Sequence, residues 1–303
     1  MARILSGIQP SGAFHIGNYF AMMKPMIELQ SDNELFCFIA DYHAMTSISD
    51  GKVLSENIIN AAIDFLSLGM DPEKSHFWVQ SDIPEVAELT WILLCHTSQG
   101  LLERSHSYKD KIAKGIVPSS GLFCYPVLMA ADILLFQSEV IPVGKDQKQH
   151  VEITRDIAER FNNLFGEVFT LPEPQISEDI AVIPGVDGQK MSKSYGNTIP
   201  VFDEDKALKK KVMKIVTDST PVEDPKDPET CNVYAIYKLF GDESQQQALK
   251  EKYVKGGTGY GDMKKELLSL MMEYFKPFKE KREMYLNDKG EVVNILKKGA
   301  DKT

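Results

Sequence analysis

The first half of this sequence alternates short apolar runs with segments of helical spacing, and only a few folds accommodate that pattern. The candidate strands are 3–7, 35–40, 75–80 and 139–144. Between the second and third of these, Ile58, Ala62 and Phe65 recur at the spacing of one helix face. Strands separated by helices are typical of βαβ units, in which the strands run parallel. We therefore predict an α/β domain with a doubly wound, parallel Rossmann-type sheet.

The pattern changes near residue 200. From about Phe202 onward the apolar residues recur only at helical spacing, with breaks in segments rich in proline and glycine. A chain of 303 residues is long enough for two domains with separate cores. We predict an α/β domain over 1–200 and a smaller, all-helical C-terminal domain over 201–303.

Composition limits the compartment and the partners. The longest apolar run, Tyr125 to Phe136, is too short to cross a bilayer and contains Asp132, so we expect no membrane association. The N-terminus reaches glycine and proline before a signal-peptide core could form. Four scattered cysteines form no close pair that would indicate a zinc or redox site, so we expect reduced thiols and a cytoplasmic protein.

Net charge bears on nucleic-acid binding. A formal charge of −10 argues, taken alone, against nucleic acid as a partner. The segment Asp205 to Lys214, "DKALKKKVMK", is a local exception. Its lysines form either a contact for nucleic acid or only the solvated face of an amphipathic helix, and the charge pattern does not separate the two.

The turn after the first strand is the first candidate ligand site, because ligands of open parallel sheets bind at the carboxyl ends of the strands. This turn reads "SGIQPSGAFHIGNY". Gln9 and Asn18 offer neutral hydrogen bonds, His15 offers a titratable donor, and Gly17 removes a side chain where a helix begins. The pattern predicts a nucleotide site at His15 to Asn18; the alternative is a histidine that only caps or packs against the helix.

A second candidate, "VGKDQKQH", follows the fourth strand. Asp146 could accept from a ribose hydroxyl, and Gly144 could bring the backbone close to it. Asp146 could equally be the N-cap of the next helix.

A third candidate is "GVDGQKMSKSYGNTIP", Gly185 to Pro200. Lys190 and Lys193 lie there among residues that favour turns. A solvated surface loop is one interpretation. The other is a loop that supplies ammonium groups to a leaving pyrophosphate once a nucleotide has bound.

Two of these segments match known signatures. "HIGN" at His15 to Asn18 and "KMSKS" at Lys190 to Ser194, in this order around a parallel-sheet domain, resemble the signature motifs of class I aminoacyl-tRNA synthetases. Together with "SGIQPSG", "YPVLMAADILL" and "VGKDQKQHVEITRDIAERFN", they are similar to the tryptophanyl-tRNA synthetase family over the whole catalytic half.

The resemblance implies a role for each matched position. It implies that 1–200 is the catalytic domain, that 201–303 binds the anticodon, and that catalysis depends on His15, Asn18, Lys190 and Lys193. The ATP contacts that it implies are Gln9, His15, Gly17, Asn18, Gly144, Asp146, Lys190, Met191, Ser192 and Lys193. The tryptophan contacts that it implies are Asp132, Met129, His43, Tyr125 and Gln147, with Tyr125 and Gln147 at the amino-acid head group.

Asp132 also has a physical argument of its own. An acid in the middle of "LMAADILL" is costly unless a group donates to it, and an indole N–H is one such donor. A core aspartate bonded to the protein's own backbone is the alternative.

The reaction implied is a ligation in two steps. Tryptophan and ATP with Mg²⁺ form tryptophanyl-adenylate and pyrophosphate, and tRNA(Trp) then accepts the tryptophanyl group. The resemblance also implies a homodimer, and no protein-held metal site is expected. The rival interpretations are a tyrosyl-tRNA synthetase, a paralogue that binds nucleotide without aminoacylation, and a nucleotidyltransferase.

Overall fold

The structure, a computed structural model, describes residues 1–113, 115, 117–176 and 182–303, without the side chains at 106, 107, 110, 111 and 146. The strands are β1 (Arg3–Ile8), β2 (Glu34–Ile39), β3 (His76–Val79), β4 (Val140–Val143) and β5 (Glu173–Ile176). The helices are α1 (Ile16–Asn18), α2 (Lys24–Glu28), α3 (Asp41–Ala44), α4 (Gly51–Ser67), α5 (Glu85–His96), α6 (Gln99–Glu103), α7 (His106–Ala113), α8 (Ser120–Leu135), α9 (Lys148–Phe165), α10 (Asp205–Met213), α11 (Asn232–Tyr237), α12 (Glu243–Lys255), α13 (Tyr260–Asn287) and α14 (Lys289–Lys302). A π-helical turn covers Tyr19–Met23, and 3₁₀ turns cover Leu29–Ser31, Gln80–Asp82, Lys145–Gln147 and Lys193–Tyr195. None of the described helices has the length and apolar character that a membrane span requires.

The five strands form one parallel sheet in the order β3-β2-β1-β4-β5. β1 pairs with β2 from Arg3 opposite Glu34 to Ile8 opposite Ile39, and with β4 through Ile4 opposite Val140. After β1 the chain adds β2 and β3 next to one edge of β1, and it later adds β4 and β5 next to the other edge of β1. The topological switch point therefore lies between β1 and β4. The predicted doubly wound parallel sheet is confirmed.

One strand was not predicted. All four predicted strands are present, with ends that differ by at most one residue. The fifth, β5, has the sequence "EPQI" and, among the described strands, pairs with β4 alone at the edge of the sheet. A short edge strand that contains Pro174 lacks both the apolar run and the alternation by which strands are recognised.

The chain divides into two compact units whose boundaries differ from a single cut at residue 200. The sheet unit comprises Met1–Gly12, Met26–Glu178 and Tyr285–Thr303, and the helical unit comprises Ala13–Pro25 and Asp179–Met284. The segment that contains "HIGN" thus belongs to the same unit as the segment that contains "KMSKS". That residues 13–25 belong to the helical unit cannot be predicted from contiguous stretches of sequence, because it arises from pairing between distant segments.

Helices on the sheet unit cover an aromatic core. Phe36, Phe38, Trp78 and Phe136 are buried in one cluster with Leu5 of β1. A second cluster lies between α5, α8 and α9 and includes buried Leu93, Val127 and Ile157. These packed helices hold α8, and with it Asp132, against the sheet.

In the helical unit, an aromatic cluster anchors the residues that follow "HIGN". The Tyr19 ring lies 5.6 Å from that of Phe275, and its hydroxyl is 2.9 Å from the hydroxyl of Tyr274. Phe20 packs edge-on against Phe240 at 4.9 Å. Since Tyr19 follows Asn18 directly, this packing fixes the position of α1.

Three prolines lie within the described helices: Pro25 in α2, Pro126 in α8 and Pro277 in α13. The sequence predicts that Pro25 kinks or divides its helix, and the π-helical turn Tyr19–Met23 ends just before it. Pro277 lies inside α13, and the helix continues beyond it to Asn287. Proline has no backbone N–H, so α13 lacks one hydrogen bond at this position. Burial of its apolar face, which includes Leu267, Met271 and Phe275, offsets that loss.

Helix α14 packs directly on β3, and we expect Gly299→Ala to disrupt this contact. A Cβ at position 299 would lie 1.9 Å from the carbonyl oxygen of Phe77, which is backbone and cannot turn aside. The substitution should lower the free energy of unfolding by about 1–3 kcal/mol, measured by denaturant titration.

Gly100→Ala is the control, because nothing lies within 4 Å of a Cβ at that position. It should leave stability unchanged or raise it by up to about 1 kcal/mol, as alanine favours a helix. Equal stability for both variants would contradict the packing of α14.

Candidate active site

"HIGN" forms a capped helix start in the helical unit. His15 is buried at the N-cap of α1, where its Nδ1 accepts from the Asn18 backbone N–H at 3.2 Å. The Asn18 side-chain oxygen accepts in return from the His15 backbone N–H at 3.2 Å. A Cβ at Gly17 would lie 2.8 Å from His15 Nδ1, so only glycine leaves room for this capping ring. The histidine therefore does cap its helix, as the alternative interpretation held.

The charge state of His15 follows from its surroundings. Burial first, and the positive charge of Lys193 second, lower the pKa of the His15 imidazole to about 4. The ring is therefore neutral near pH 7. Because Nδ1 accepts from Asn18, the proton lies on Nε2, which can donate a hydrogen bond to a phosphate oxygen.

"KMSKS" belongs to a segment with defined hydrogen bonds. Asn197 is buried and connects three parts of it: its amide nitrogen donates to Asp187 at 2.7 Å and to the Lys190 carbonyl at 3.1 Å. Its side-chain oxygen accepts from the Ser192 backbone N–H at 2.8 Å. A Cβ at Gly185 would lie 2.4 Å from the Asn197 side chain, so glycine is required at that position.

Backbone hydrogen bonds join the "HIGN" segment to the chain that follows "KMSKS". The N–H of Ile16 donates to Ile199 at 2.9 Å, and the N–H of Val201 donates to Phe14 at 3.0 Å. These bonds flank a bridge between His15 and Pro200. The helical unit therefore holds the "HIGN" and "KMSKS" segments side by side although they are far apart in sequence.

Lys190 and Lys193 are both exposed, yet their surroundings differ. The Lys193 ammonium lies 5.7 Å from the centre of the Phe14 ring, and neighbouring protein displaces part of its water, which lowers its pKa. Met191, between the two lysines, is buried and lies next to Gly17. The buried methionine anchors the segment and leaves the lysines on its outer side.

In the sheet unit, Asp132 is the centre of a buried polar cluster. Its Oδ2 is 2.8 Å from His43 Nε2, and Gln80 Nε2 donates to Oδ1 at 2.7 Å and to Oδ2 at 2.9 Å. Burial raises the pKa of the Asp132 carboxyl, and the hydrogen bonds from His43 and Gln80 oppose that rise. The aspartate is bonded to side chains of the protein, so the expected alternative of backbone partners is wrong.

The other predicted tryptophan contacts lie in the same unit. Tyr125 and Met129 share α8 with Asp132. The Tyr125 ring is 6.2 Å from that of His43, and its hydroxyl is hydrogen-bonded to Nε2 of His150, a buried residue of α9. The role of Gln80 and the Tyr125 contact of His150 were not predicted. The position of Gln80 just after a parallel strand was the available signal.

The remaining predicted residues follow the two strands at the switch point. Gln9 comes directly after β1 and is exposed, and Gly144 comes directly after β4. Gly144 begins the 3₁₀ turn Lys145–Gln147, whose Gln147 N–H donates back to Gly144 at 2.9 Å. The side chain of Asp146 lies outside the described residues, and the N-cap position of α9 is occupied by Gln147 rather than Asp146.

We expect the His15 imidazole to titrate near pH 4, because burial and Lys193 both disfavour its charged form. Unfolded chains protonate histidine near 6.5, so lowering the pH from 6.5 to about 4 should also reduce the free energy of unfolding. The measurement is the imidazole NMR shift against pH, assigned by its loss in His15→Gln.

Lys193→Gln should move this midpoint upward because it removes a nearby cation, while Lys190→Gln is the matched control. A midpoint near 6.5 in the unsubstituted protein would show that the ring is not desolvated.

Comparison with known proteins identifies the family of the chain. The family model described as tRNA synthetases class I (W and Y) matches residues 1–276. The tryptophan–tRNA ligase of Campylobacter jejuni is 57% identical over 300 residues, which cover 99% of this chain and 94% of that protein. The tryptophan–tRNA ligase of Fusobacterium nucleatum is 55% identical over 303 residues, 100% of this chain and 93% of the relative.

A solved structure gives the same result. The tryptophanyl-tRNA synthetase of Campylobacter jejuni, crystallised in complex with ADP and tryptophan, superposes with a TM-score of 0.95 at 57% identity, covering 99% of this chain and 94% of that chain. The resemblance seen in the sequence motifs is thereby confirmed: the chain belongs to the class I tRNA synthetase (W and Y) family.

Proposed function

We propose that this chain is a tryptophan–tRNA ligase, which joins L-tryptophan to tRNA(Trp) through a tryptophanyl-adenylate and releases AMP and pyrophosphate. The observation that carries the proposal is the side-by-side arrangement of "HIGN" and "KMSKS" through the bonds of Ile16 to Ile199 and Val201 to Phe14. Relatives with this function that align over 99% of the chain support the choice of amino acid.

The first step needs positioning and charge stabilisation rather than a protein nucleophile. A carboxylate oxygen of tryptophan attacks the α-phosphorus of ATP, the bond to the bridging oxygen breaks, and pyrophosphate leaves with the electron pair. Neutral His15 donates from Nε2, and the Lys190 and Lys193 ammonium groups balance the charge that develops on the leaving group. In the second step, a hydroxyl of the terminal adenosine of the tRNA takes the acyl group and AMP leaves.

The remaining ATP contacts are proposed from position. In the helical unit, the further contacts proposed are Asn18, Met191 and Ser192, which lie in the same two segments as His15 and the two lysines. Gly17 leaves space beside His15. In the sheet unit, residues at the strand ends would bind the nucleoside; they are Gln9, Gly144 and Asp146.

We expect the Mg²⁺ ion of the reaction to bind to the phosphates of ATP. Among the residues that the structure describes, no group of three or more His, Cys, Asp or Glu could hold a metal ion. Mg²⁺ commonly binds through substrate phosphates and retains several waters, so Mg²⁺ on the ATP phosphates fits a site with this residue set. When bound, it would neutralise phosphate charge.

Asp132 is proposed as the acceptor for the indole N–H, with His43 and Met129 beside the ring and Tyr125 and Gln147 at the head group. The two carboxylate oxygens of Asp132 can accept about four hydrogen bonds, and the described residues supply three, which leaves capacity for a substrate donor. A buried acceptor that phenylalanine leaves unpaired penalises the wrong amino acid more than shape alone.

The proposal includes a tRNA and a second copy of the chain. Residues 201–303 would bind the anticodon, and Lys206, Lys209, Lys210 and Lys214 form an exposed basic face on and just after α10. A homodimer is proposed from the family, with Trp91 69% exposed in the sheet unit as one candidate contact. All four cysteines are free, in keeping with a cytoplasmic location.

The test is ATP–pyrophosphate exchange with each of the twenty amino acids in the absence of tRNA. Exchange with tryptophan alone is expected. Exchange with tyrosine would replace the proposed specificity, and exchange with none would favour a paralogue that binds nucleotide without activating an amino acid.

Lys193→Ala should lower the rate of pyrophosphate exchange by about a hundredfold, since loss of one preorganised donor to a developing anion costs about 3 kcal/mol. Lys255→Ala, at the exposed C-terminal end of α12, is the control and should retain the unsubstituted rate. An unchanged rate in Lys193→Ala would show that the lysine does not act on the leaving group.

Asp132→Asn should weaken discrimination for tryptophan against phenylalanine, because the amide is uncharged and reorients among the same partners. The measurement is the ratio of kcat/KM for the two amino acids in the exchange assay. Full retention of selectivity would rule out Asp132 as the indole acceptor.

A further inference from the structure

Gln80 is a fully buried amide at the carboxyl end of β3, in the 3₁₀ turn Gln80–Asp82. Its Nε2 donates to both carboxylate oxygens of Asp132, at 2.7 and 2.9 Å. A primary amide that reaches both oxygens of a carboxylate restricts rotation of the carboxylate about its last bond. Gln80 thus controls the direction in which Asp132 presents its lone pairs.

The orientation of the Gln80 amide is itself determined. Its Oε1 accepts from the backbone N–H of Tyr42 at 3.1 Å, which leaves the NH₂ group facing Asp132. The adjoining Ser81 N–H donates to Asp41 Oδ1 at 3.1 Å. Helix α3 and the turn after β3 are therefore joined by two hydrogen bonds, one from each element.

The same helix α3 carries His43, which also contacts Asp132. His43 Nε2 lies 2.8 Å from Asp132 Oδ2, and because a carboxylate only accepts, this nitrogen carries the proton. Within the described residues, Oδ2 thus accepts from two groups and Oδ1 from one. The acceptor capacity that remains is on Oδ1.

We propose that Gln80 is a positioning residue for amino-acid selection: it holds the Asp132 carboxylate so that the open lone pair of Oδ1 is directed at the indole N–H. This inference rests on the proposed function, since it assumes tryptophan as the substrate. Gln80 acts through Asp132 and has no contact with the reacting atoms. Without its two bonds the carboxylate can rotate or take up a proton, and the N–H of the substrate loses its aligned acceptor.

The experiment compares two substrates in Gln80→Met, which keeps the length and volume of the side chain and removes the amide. The substrates are L-tryptophan and β-(3-benzothienyl)-L-alanine, in which sulfur replaces the indole N–H at nearly the same size. For each, kcat/KM is measured by ATP–pyrophosphate exchange. The unsubstituted protein should prefer tryptophan, and in Gln80→Met that preference should fall on the order of tenfold or more, mainly through a higher KM for tryptophan.

This ratio separates a positioning role from a structural one. If Gln80 only stabilised the fold, Gln80→Met would lower kcat/KM for both substrates equally, and the ratio would not change. An unchanged ratio overturns the proposal.

Gln30 provides a matched control in the same unit. Both ends of its amide are also bonded, to the Gly69 carbonyl at 2.9 Å and the Asp71 N–H at 2.9 Å, but neither partner is Asp132. Gln30→Met should therefore leave the substrate ratio as in the unsubstituted protein. A fall equal to that in Gln80→Met would mean that the ratio follows general destabilisation, and would overturn the proposal.

A second variant covers the case in which Gln80→Met does not fold. Gln80→Glu keeps the shape of the side chain and replaces the donor with a second carboxylate beside Asp132, so the preference for tryptophan should fall here as well; retention of the full ratio overturns the proposal. The two failures are distinguishable. A protein that does not activate tryptophan refutes the proposed function, whereas one that prefers tryptophan equally with and without Gln80 refutes this inference alone.

Discussion

The parallel pairing of β1 with both β2 and β4 is the constraint on which the sheet unit depends. It brings the carboxyl ends of these strands to one edge of the sheet, so that the segments after them begin as neighbours. Gln9, helix α3, the turn at Gln80 and Gly144 each follow one strand of this edge. Candidate site residues from four stretches of sequence therefore lie at one edge of the sheet.

Order in the "KMSKS" segment has a different origin. Glycine and serine give the backbone little preference of its own, and the buried Asn197 supplies the missing bonds from within the segment. The bridge between His15 and Pro200 then fixes the segment against the helix start. A loop expected to move is in this structure tied at its base, while Lys190 and Lys193 stay on the exposed side.

The motif residues were recognisable from the sequence, whereas their partners were not. "HIGN", "KMSKS" and the buried Asp132 were recognisable because rare residue types lie in unusual surroundings. Gln80 was missed because a glutamine after a strand is ordinary until the fold brings it 2.7 Å from a buried carboxylate. The membership of residues 13–25 in the helical unit was also not predicted, because it depends on pairing with the distant chain near Pro200.

The amino-acid sequence by itself determined the parallel α/β class, four of the five strands, the family and the chemistry-bearing motifs, because these follow from local periodicity and from residue types at short spacing. Only the tertiary structure decided which remote side chains interact: Asp132 through hydrogen bonds with Gln80 and His43, and His15 through the charge of Lys193. The physical reason is that hydrogen bonds and charge interactions act over a few ångströms, and those distances between remote residues are set by the packing of the whole unit.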